Sequence, residues 1–281
     1  MVSIVVLCHN KAAYTRACLE SVLQTRPAEF ELVVGENGSS DETPQLLDEI
    51  SSRAAGLGIG MRVIRNDAGT GCSTARNAAV AVARGEEVVF LDNDTIIPDP
   101  DWLVKLRAAL NSDPKAAIVG PKLCYPFEPH LIQCAGVGIS RTGRVQFRGR
   151  GRPQGAPRFA RVEEVQTLIS ACFMFRRSLY GEIGGLDEAF NPIQYEDFDF
   201  CYRARSRGWK ALYTPSPVIY HWESITSDGS PALANRYVII KHGLLFKERW
   251  RHMFEKENGP SDAETRWEVI EMPSLHGRRR R

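Results

Sequence analysis

Apolar and polar positions alternate along the first half of this 281-residue chain in two distinct periods. Short apolar runs at Ser3 to Leu7, Glu31 to Val34, Arg62 to Ile64, Val88 to Leu91 and Ala117 to Val119 read as strands. Between them, Ala12 to Gln24, Thr43 to Arg53, Ser73 to Ala83 and Asp101 to Leu110 carry apolar residues at helical spacing. Strands alternating with helices of this length predict an α/β fold: a Rossmann-like, mostly parallel central sheet with helices on both faces. After Pro121 the alternation lapses, and Gly, Pro and Arg accumulate through Pro157. It resumes with an apolar stretch from Gln166 to Phe175, a Gly184-Gly185 turn, a helix from Glu196 to Arg207 and a long helix from Asn235 to Phe254. That last helix is expected to dock on the body or on a partner through Tyr237, Ile240 and Leu244, with Lys241, Lys247 and Arg251 facing outward. No repeat or low-complexity linker divides the chain.

In such a sheet a ligand lies beyond the carboxyl ends of the strands. The polar clusters follow that rule: Cys8-His9-Asn10, Glu36-Asn37-Gly38-Ser39, Asn66-Asp67 and Asp92-Asn93-Asp94 each come directly after a strand. Residues two apart in extended chain project to one side, so Asp92 and Asp94 can face one ligand. Close carboxylates repel unless a cation lies between them, and hard oxygen donors suit Mg²⁺ or Mn²⁺. Asp and Asn are also turn formers, and the pair alone supports a turn as well as a metal.

Composition narrows the field. Lys and Arg number 36 against 34 Asp and Glu, so there is no overall field for a nucleic acid. Basic charge is local, in the acid-free run Arg141 to Arg161 and in Arg278 to Arg281; the tail reads as a solvated end before it reads as a contact with an anionic membrane. Seven cysteines without a CxxC pair fit reduced thiols in a cytoplasmic setting. The apolar start lacks a basic n-region and a cleavage site, and no run approaches the roughly 18 residues of a membrane span.

Taken together, these segments resemble family 2 of the glycosyltransferases over roughly residues 1 to 225. Ser3 to Asn10 resembles the opening strand, whose end, His9 and Asn10, contacts the nucleoside. Val33 to Asp41 resembles the second nucleotide loop, with Glu36 where the family usually has Asp, followed by Asn37. Asn66-Asp67 and Ser73 to Asn77 resemble the third nucleotide segment, in which Arg76 and Asn77 approach base or phosphate. Asp92-Asn93-Asp94 matches the Asp-x-Asp motif of ribose and metal binding. Gly184 to Phe190 followed by Tyr195 to Asp199 resembles the acceptor loop and the Glu-Asp motif, which makes Asp197 the general base, Glu196 a shaper of the acceptor site, and Gly185 and Asp187 acceptor contacts. His221 stands where many relatives place a third metal ligand beside Asp92 and Asp94. Each has a plainer reading: Glu196 and Asp197 can cap a helix, His221 can be a hydrogen-bonded wall, and the glycines can serve turns.

The resemblance implies a GT-A fold, with residues 1–120 binding the nucleotide sugar, 121–230 supplying the acceptor-side half and 231–281 a terminal helix and basic tail. It implies transfer from a nucleoside diphosphate sugar of UDP, dTDP or GDP type to a glycan, lipid-linked or protein acceptor. The reaction it implies is an inverting, metal-assisted direct displacement using Mn²⁺ or Mg²⁺, and the expected setting is cytoplasmic, with a peripheral contact at the inner face of a membrane as a further option. Three other classes compete. An NAD-type oxidoreductase is suggested by Gly69-Thr70-Gly71-Cys72-Ser73-Thr74 between strand and helix, with Asp92 21 residues after Gly71, but it leaves Asp41, Asp94 and the Glu-Asp pair unused. A sugar nucleotidyltransferase expects a glycine-rich first loop that Cys8 to Ala13 lacks. A non-catalytic carbohydrate-binding protein would need no base at Asp197.

Overall fold

A computed structural model describes residues 1–27, 29–66, 68–223 and 232–271, with the side chains of 232–235 left aside. In chain order the elements are β1 (Val2–Cys8), α1 (Ala12–Val22), β2 (Phe30–Asn37), α2 (Thr43–Gly56), β3 (Gly60–Asn66), α3 (Cys72–Val82), β4 (Glu87–Asp92), β5 (Thr95–Ile96) and α4 (Trp102–Leu110). Then follow β6 (Ala116–Cys124), β7 (Ile132–Cys134), β8 (Val137–Ile139), β9 (Val145–Phe147), β10 (Glu163–Val165), β11 (Cys172–Arg176), α5 (Arg177–Ile183), α6 (Glu196–Ser206), β12 (Lys210–His221) and α7 (Ala232–Phe254).

The main sheet runs β10-β12-β6-β11-β4-β1-β2-β3, with β5 on β12 and β7 on β6. Neighbours β4, β1, β2 and β3 are parallel, as the alternating pattern predicts. Strand β11 is antiparallel to both β4 and β6, and β12 lies parallel to β6. Two reversals restore direction, so the carboxyl end of β12 emerges on the same edge of the sheet as that of β4. Successive β1 residues feed opposite faces: Ile4 and Val6 join the core with α1, α2 and α4, while Val5 joins the core with α3 and α5.

The lapse after Pro121 does not mark the end of the sheet. Strand β6 crosses residue 120 and continues to Cys124, buried throughout. Its partner β12 carries Pro215 and Pro217, and the ladder slips between Tyr213 and Val218, opposite the Gly120 to Lys122 stretch that contains Pro121. Prolines on both strands lack the N–H a regular ladder needs, so the irregularity is shared and the strands still pair on either side.

Helix α7 packs on the body by a different face, so a dock on the body through Tyr237, Ile240 and Leu244 is excluded. Tyr237, Ile240 and Leu244 are 69%, 62% and 63% exposed, whereas His242, Phe246 and Phe254 are fully buried. The docking face is aromatic: Phe246 contacts Tyr195, Phe198, Tyr202 and Phe254 at ring separations of 5.2 to 6.3 Å. Spacing alone offered two apolar faces, and the rings of α6 selected the one with Phe246. Lys241 and Arg251 do face solvent, and Lys247 is half-buried.

Phe246→Ala should cost about 3–5 kcal/mol, as is usual for emptying a fully buried aromatic site. Chemical denaturation checks this, and a loss below about 1 kcal/mol would mean that α7 is not integral to the core.

Candidate active site

Asp92 ends β4, Asp94 follows two residues later, and His221 ends β12. The short β5–β12 ladder joins them, pairing His221 with Thr95, and the Trp222 N–H reaches the Asp94 carbonyl at 3.0 Å. One donor atom from each of Asp92, Asp94 and His221 lies within 4.8 Å of the others. His221 Nε2 sits 3.2 Å from Asp94 Oδ1 and 3.8 Å from Asp92 Oδ2. Its Nδ1 is 2.7 Å from Gln133 Oε1. An amide oxygen only accepts, so Nδ1 carries a proton and Nε2 is the atom turned to the carboxylates. Burial disfavours the imidazolium, but Asp94 and Asp92 beside it hold the pKa up to about 9. Two carboxylates and an imidazole nitrogen converging in this way fit a divalent cation of the Mg²⁺ or Mn²⁺ kind.

Behind this cluster lies Arg76, on α3 and only 1% exposed. Its guanidinium donates to Asp92 Oδ1 at 2.5 Å and to Ser170 Oγ at 2.6 Å, and stands 3.7 Å from Glu196 Oε1. It therefore faces the interior carboxylates and not an open nucleotide pocket. Ser170 is shared, because its N–H donates to Asp197 Oδ2 at 2.9 Å. The Phe198 N–H donates to Asp197 Oδ1 at 2.8 Å. Burial, and then the Glu196 carboxylate, push Asp197 above the ordinary carboxylate range, against the pull of those two N–H groups and Arg76. The first turn of α6 does not hold Asp197 at an ordinary carboxylate pKa, because desolvation outweighs the helix end.

The other sequence-selected residues divide into those near the strand ends and those that brace loops. His9 Nδ1 donates to the Asn37 carbonyl at 2.9 Å. Asn10 Oδ1 accepts from the Ser40 and Asp41 N–H groups, tying the first loop to the second. Glu36 is buried and accepts from the Ser39 N–H at 2.6 Å, so at least one of its oxygens serves its own loop. Asn37 Oδ1 accepts from Thr70 and Asn66. Asn93 points inward and donates to Thr15 on α1 at 2.7 Å. Asp67 and the Arg278 to Arg281 tail lie outside the described residues.

On the far side, Asn77 grips the backbone of Leu186 by both its N–H and its carbonyl. Gly185 is required there because a Cβ would stand 2.7 Å from Asn77 Oδ1 and 2.8 Å from the Tyr180 hydroxyl. Asp187 accepts from the Ala189 N–H and pairs with Arg249 of α7 at 2.5 Å, fastening α7 to the loop. Ser170, Gln133, Asn191 and Arg249 had no sequence signal, since each is polar, isolated in its segment and brought to the site only by tertiary folding. Asn191 accepts from the Ser73 N–H, and the Pro192 carbonyl accepts from the Cys72 N–H, which spends the start of α3. The Gly69 to Thr74 segment therefore presents a plugged helix end, contrary to what a dinucleotide pyrophosphate needs.

A parallel strand-helix half thus carries an Asp-Asp-His cluster at its carboxyl edge, with the Glu196-Asp197 pair on the other side of Arg76. Residues 3–184 match the family model for glycosyl transferase family 2, and the chain belongs to that family. It is 30% identical over 261 residues to protein y4gI of Sinorhizobium fredii, covering 89% of this chain and 28% of that one. To the N-acetylglucosaminyl-diphospho-decaprenol L-rhamnosyltransferase of Mycobacterium tuberculosis it is 26% identical, covering 82% and 78%. The crystal structure of GalNAc-T7 with UDP, GalNAc and Mn²⁺ superposes with a TM-score of 0.64 at 20% identity, over 79% of this chain and 43% of that one. The chain spans less than a third of the length of the first curated relatives it matches.

Removing Arg76 should leave Asp92 and Glu196 without their shared cation. Arg76→Ala is expected to lose about 3–5 kcal/mol in chemical denaturation, as when one partner of a buried ion pair is deleted. An unchanged midpoint would refute the charge-balancing role.

Proposed function

We propose that this glycosyltransferase moves a sugar from a nucleoside diphosphate donor to an acceptor hydroxyl by direct displacement with inversion. The observation that carries the reading is the Asp92–Arg76–Glu196 connection. It sets a cation-binding carboxylate and the Glu196-Asp197 pair on opposite sides of one buried guanidinium. The donor diphosphate would lie at the carboxyl edge of β1, β2 and β4, where His9, Asn10, Glu36, Asn37, Asp92 and Asn93 gather. Asp92, Asp94 and His221 would hold Mn²⁺ or Mg²⁺, which when bound supplies positive charge for the leaving diphosphate. GalNAc-T7, crystallised with UDP and Mn²⁺, supports that assignment by analogy of fold.

Asp197 is the base in this reading. The acceptor oxygen attacks the anomeric carbon, the bond from that carbon to the diphosphate breaks, and the hydroxyl proton passes to Asp197. The backbone donors at Ser170 and Phe198 fix the carboxylate plane, and its raised pKa strengthens it as a base once ionised. Glu196 lines the acceptor side, with Gly185 and Asp187 building the loop in front of it. Direct displacement needs no protein nucleophile. The relative named for a decaprenol diphosphate substrate supports a lipid-linked acceptor, and seven buried, unpaired cysteines support a reducing, cytoplasmic setting.

Asp197→Asn should lower sugar transfer by about 10² to 10⁴ while leaving nucleotide affinity intact. Calorimetry and product mass on the same protein test this, and near wild-type transfer would sink the assignment. Because the base works only when deprotonated and its pKa is raised, wild-type transfer should climb as pH rises through neutrality. A profile already flat from pH 5 upward would contradict it.

Asp94→Asn should make nucleoside diphosphate binding weak and insensitive to added Mn²⁺, since it removes one of the three cation donors and leaves the Asp92 carboxylate uncompensated beside the diphosphate. Wild-type affinity that survives a chelator unchanged would remove the cation from the site.

A further inference from the structure

The outward face of α7 is the most concentrated apolar surface among the described residues. Eleven large hydrophobic residues are exposed among the described residues, and four of them, Tyr237, Ile239, Ile240 and Leu244, fall within eight positions of this one helix. Single exposed hydrophobics are ordinary, but a cluster of this density marks a contact surface. Tyr237, Ile240 and Leu244 follow a three- and four-residue spacing, so they form one stripe along the first turns.

Charge distinguishes between occupants. From Arg236 to Lys247 the sequence contains no acid. Arg236 and Lys241 are exposed beside the stripe, Lys247 is half-buried, and Arg251 extends the basic edge by a turn. Acids return from Glu248 onward, where the outward face loses its large apolar residues. A second copy meeting this face by two-fold symmetry would bring cation against cation. An anionic bilayer satisfies both components, taking the apolar stripe into its interface and the cations against its headgroups.

The opposite face of the same turns is fixed to the acceptor side. His242 Nδ1 donates to the Ile193 carbonyl at 2.8 Å, and Phe246 packs on Tyr195, the residue before Glu196. We propose that the Tyr237-Ile240-Leu244 face of α7 docks the protein on an anionic lipid surface. It thereby holds the Ile193 to Asp197 segment close to the membrane, a placement whose use rests on the lipid-linked acceptor reading above.

The test uses the full chain and vesicles of equal parts phosphatidylcholine and phosphatidylglycerol, with pure phosphatidylcholine as the control. Wild type should co-sediment with the anionic vesicles only, and added salt should weaken the binding. Ile240→Glu with Leu244→Glu alters exposed positions and keeps the arginine tail, and should reduce binding at least tenfold while nucleotide affinity stays at wild-type level. Vesicle binding that persists in the double variant would overturn the proposal and assign the contact to the tail. A concentration-dependent dimer abolished by the same variant, with no vesicle binding in wild type, would overturn it in favour of a second copy. Vesicle binding lost in the variant while wild type shows no sugar transfer with any donor would uphold this surface and count only against the transfer chemistry.

Discussion

The architecture around the cleft depends on one buried guanidinium. Arg76 comes from helix α3, yet the polar groups its guanidinium pairs with lie elsewhere: Asp92 at the end of β4, Ser170 before β11 and Glu196 at the start of α6. Like charges cannot crowd a site this dry unless a cation is built into it, and a guanidinium is the side chain that stays protonated under desolvation while serving several acceptors. The position of α6, and so of Asp197, follows from that requirement. Asp199 continues the logic one turn further, fully buried among Arg203, Arg249 and Trp250.

Much of this was legible in the sequence, for reasons that differ by element. The strands β1 to β4 and helices α1 to α4 are each governed by local periodicity against one shared sheet, so their pattern survives folding almost unaltered. Asp92 and Asp94 could be paired because residues two apart in extended chain share a side, whereas His221 and the Glu196-Asp197 pair were singled out by the family resemblance alone. Strand β12 was not legible, since its prolines break the ladder that would identify it, and its partner β6 lies more than 90 residues earlier in the chain. Helix α7 was misoriented because it carries apolar residues on two faces, and only the aromatic cluster of α6 decides between them.

The nucleotide loops show a subtler limit. Asn10, Asn37 and Asn93 have the residue types of ligand contacts, and all three hydrogen-bond to neighbouring loops or helices. Composition cannot separate a side chain that meets a ligand from one that holds the loop meeting it. Both are short, polar and placed after strands. Arg76 makes the same point, because an arginine in a segment that resembles a nucleotide loop is spent on the Asp92 and Glu196 carboxylates.

Asn191 has a consequence for how this enzyme can change. By closing the first turn of α3, it joins the loop that leads into Glu196 to the helix carrying Arg76. Gly71 is part of the joint, since a Cβ there would overlap the Asn191 side chain. The two halves are therefore not interchangeable modules. A loop grafted from a relative would arrive without its matching helix start, leaving the Cys72 and Ser73 amides bare. Diversification of this scaffold has to proceed by paired substitution across that seam.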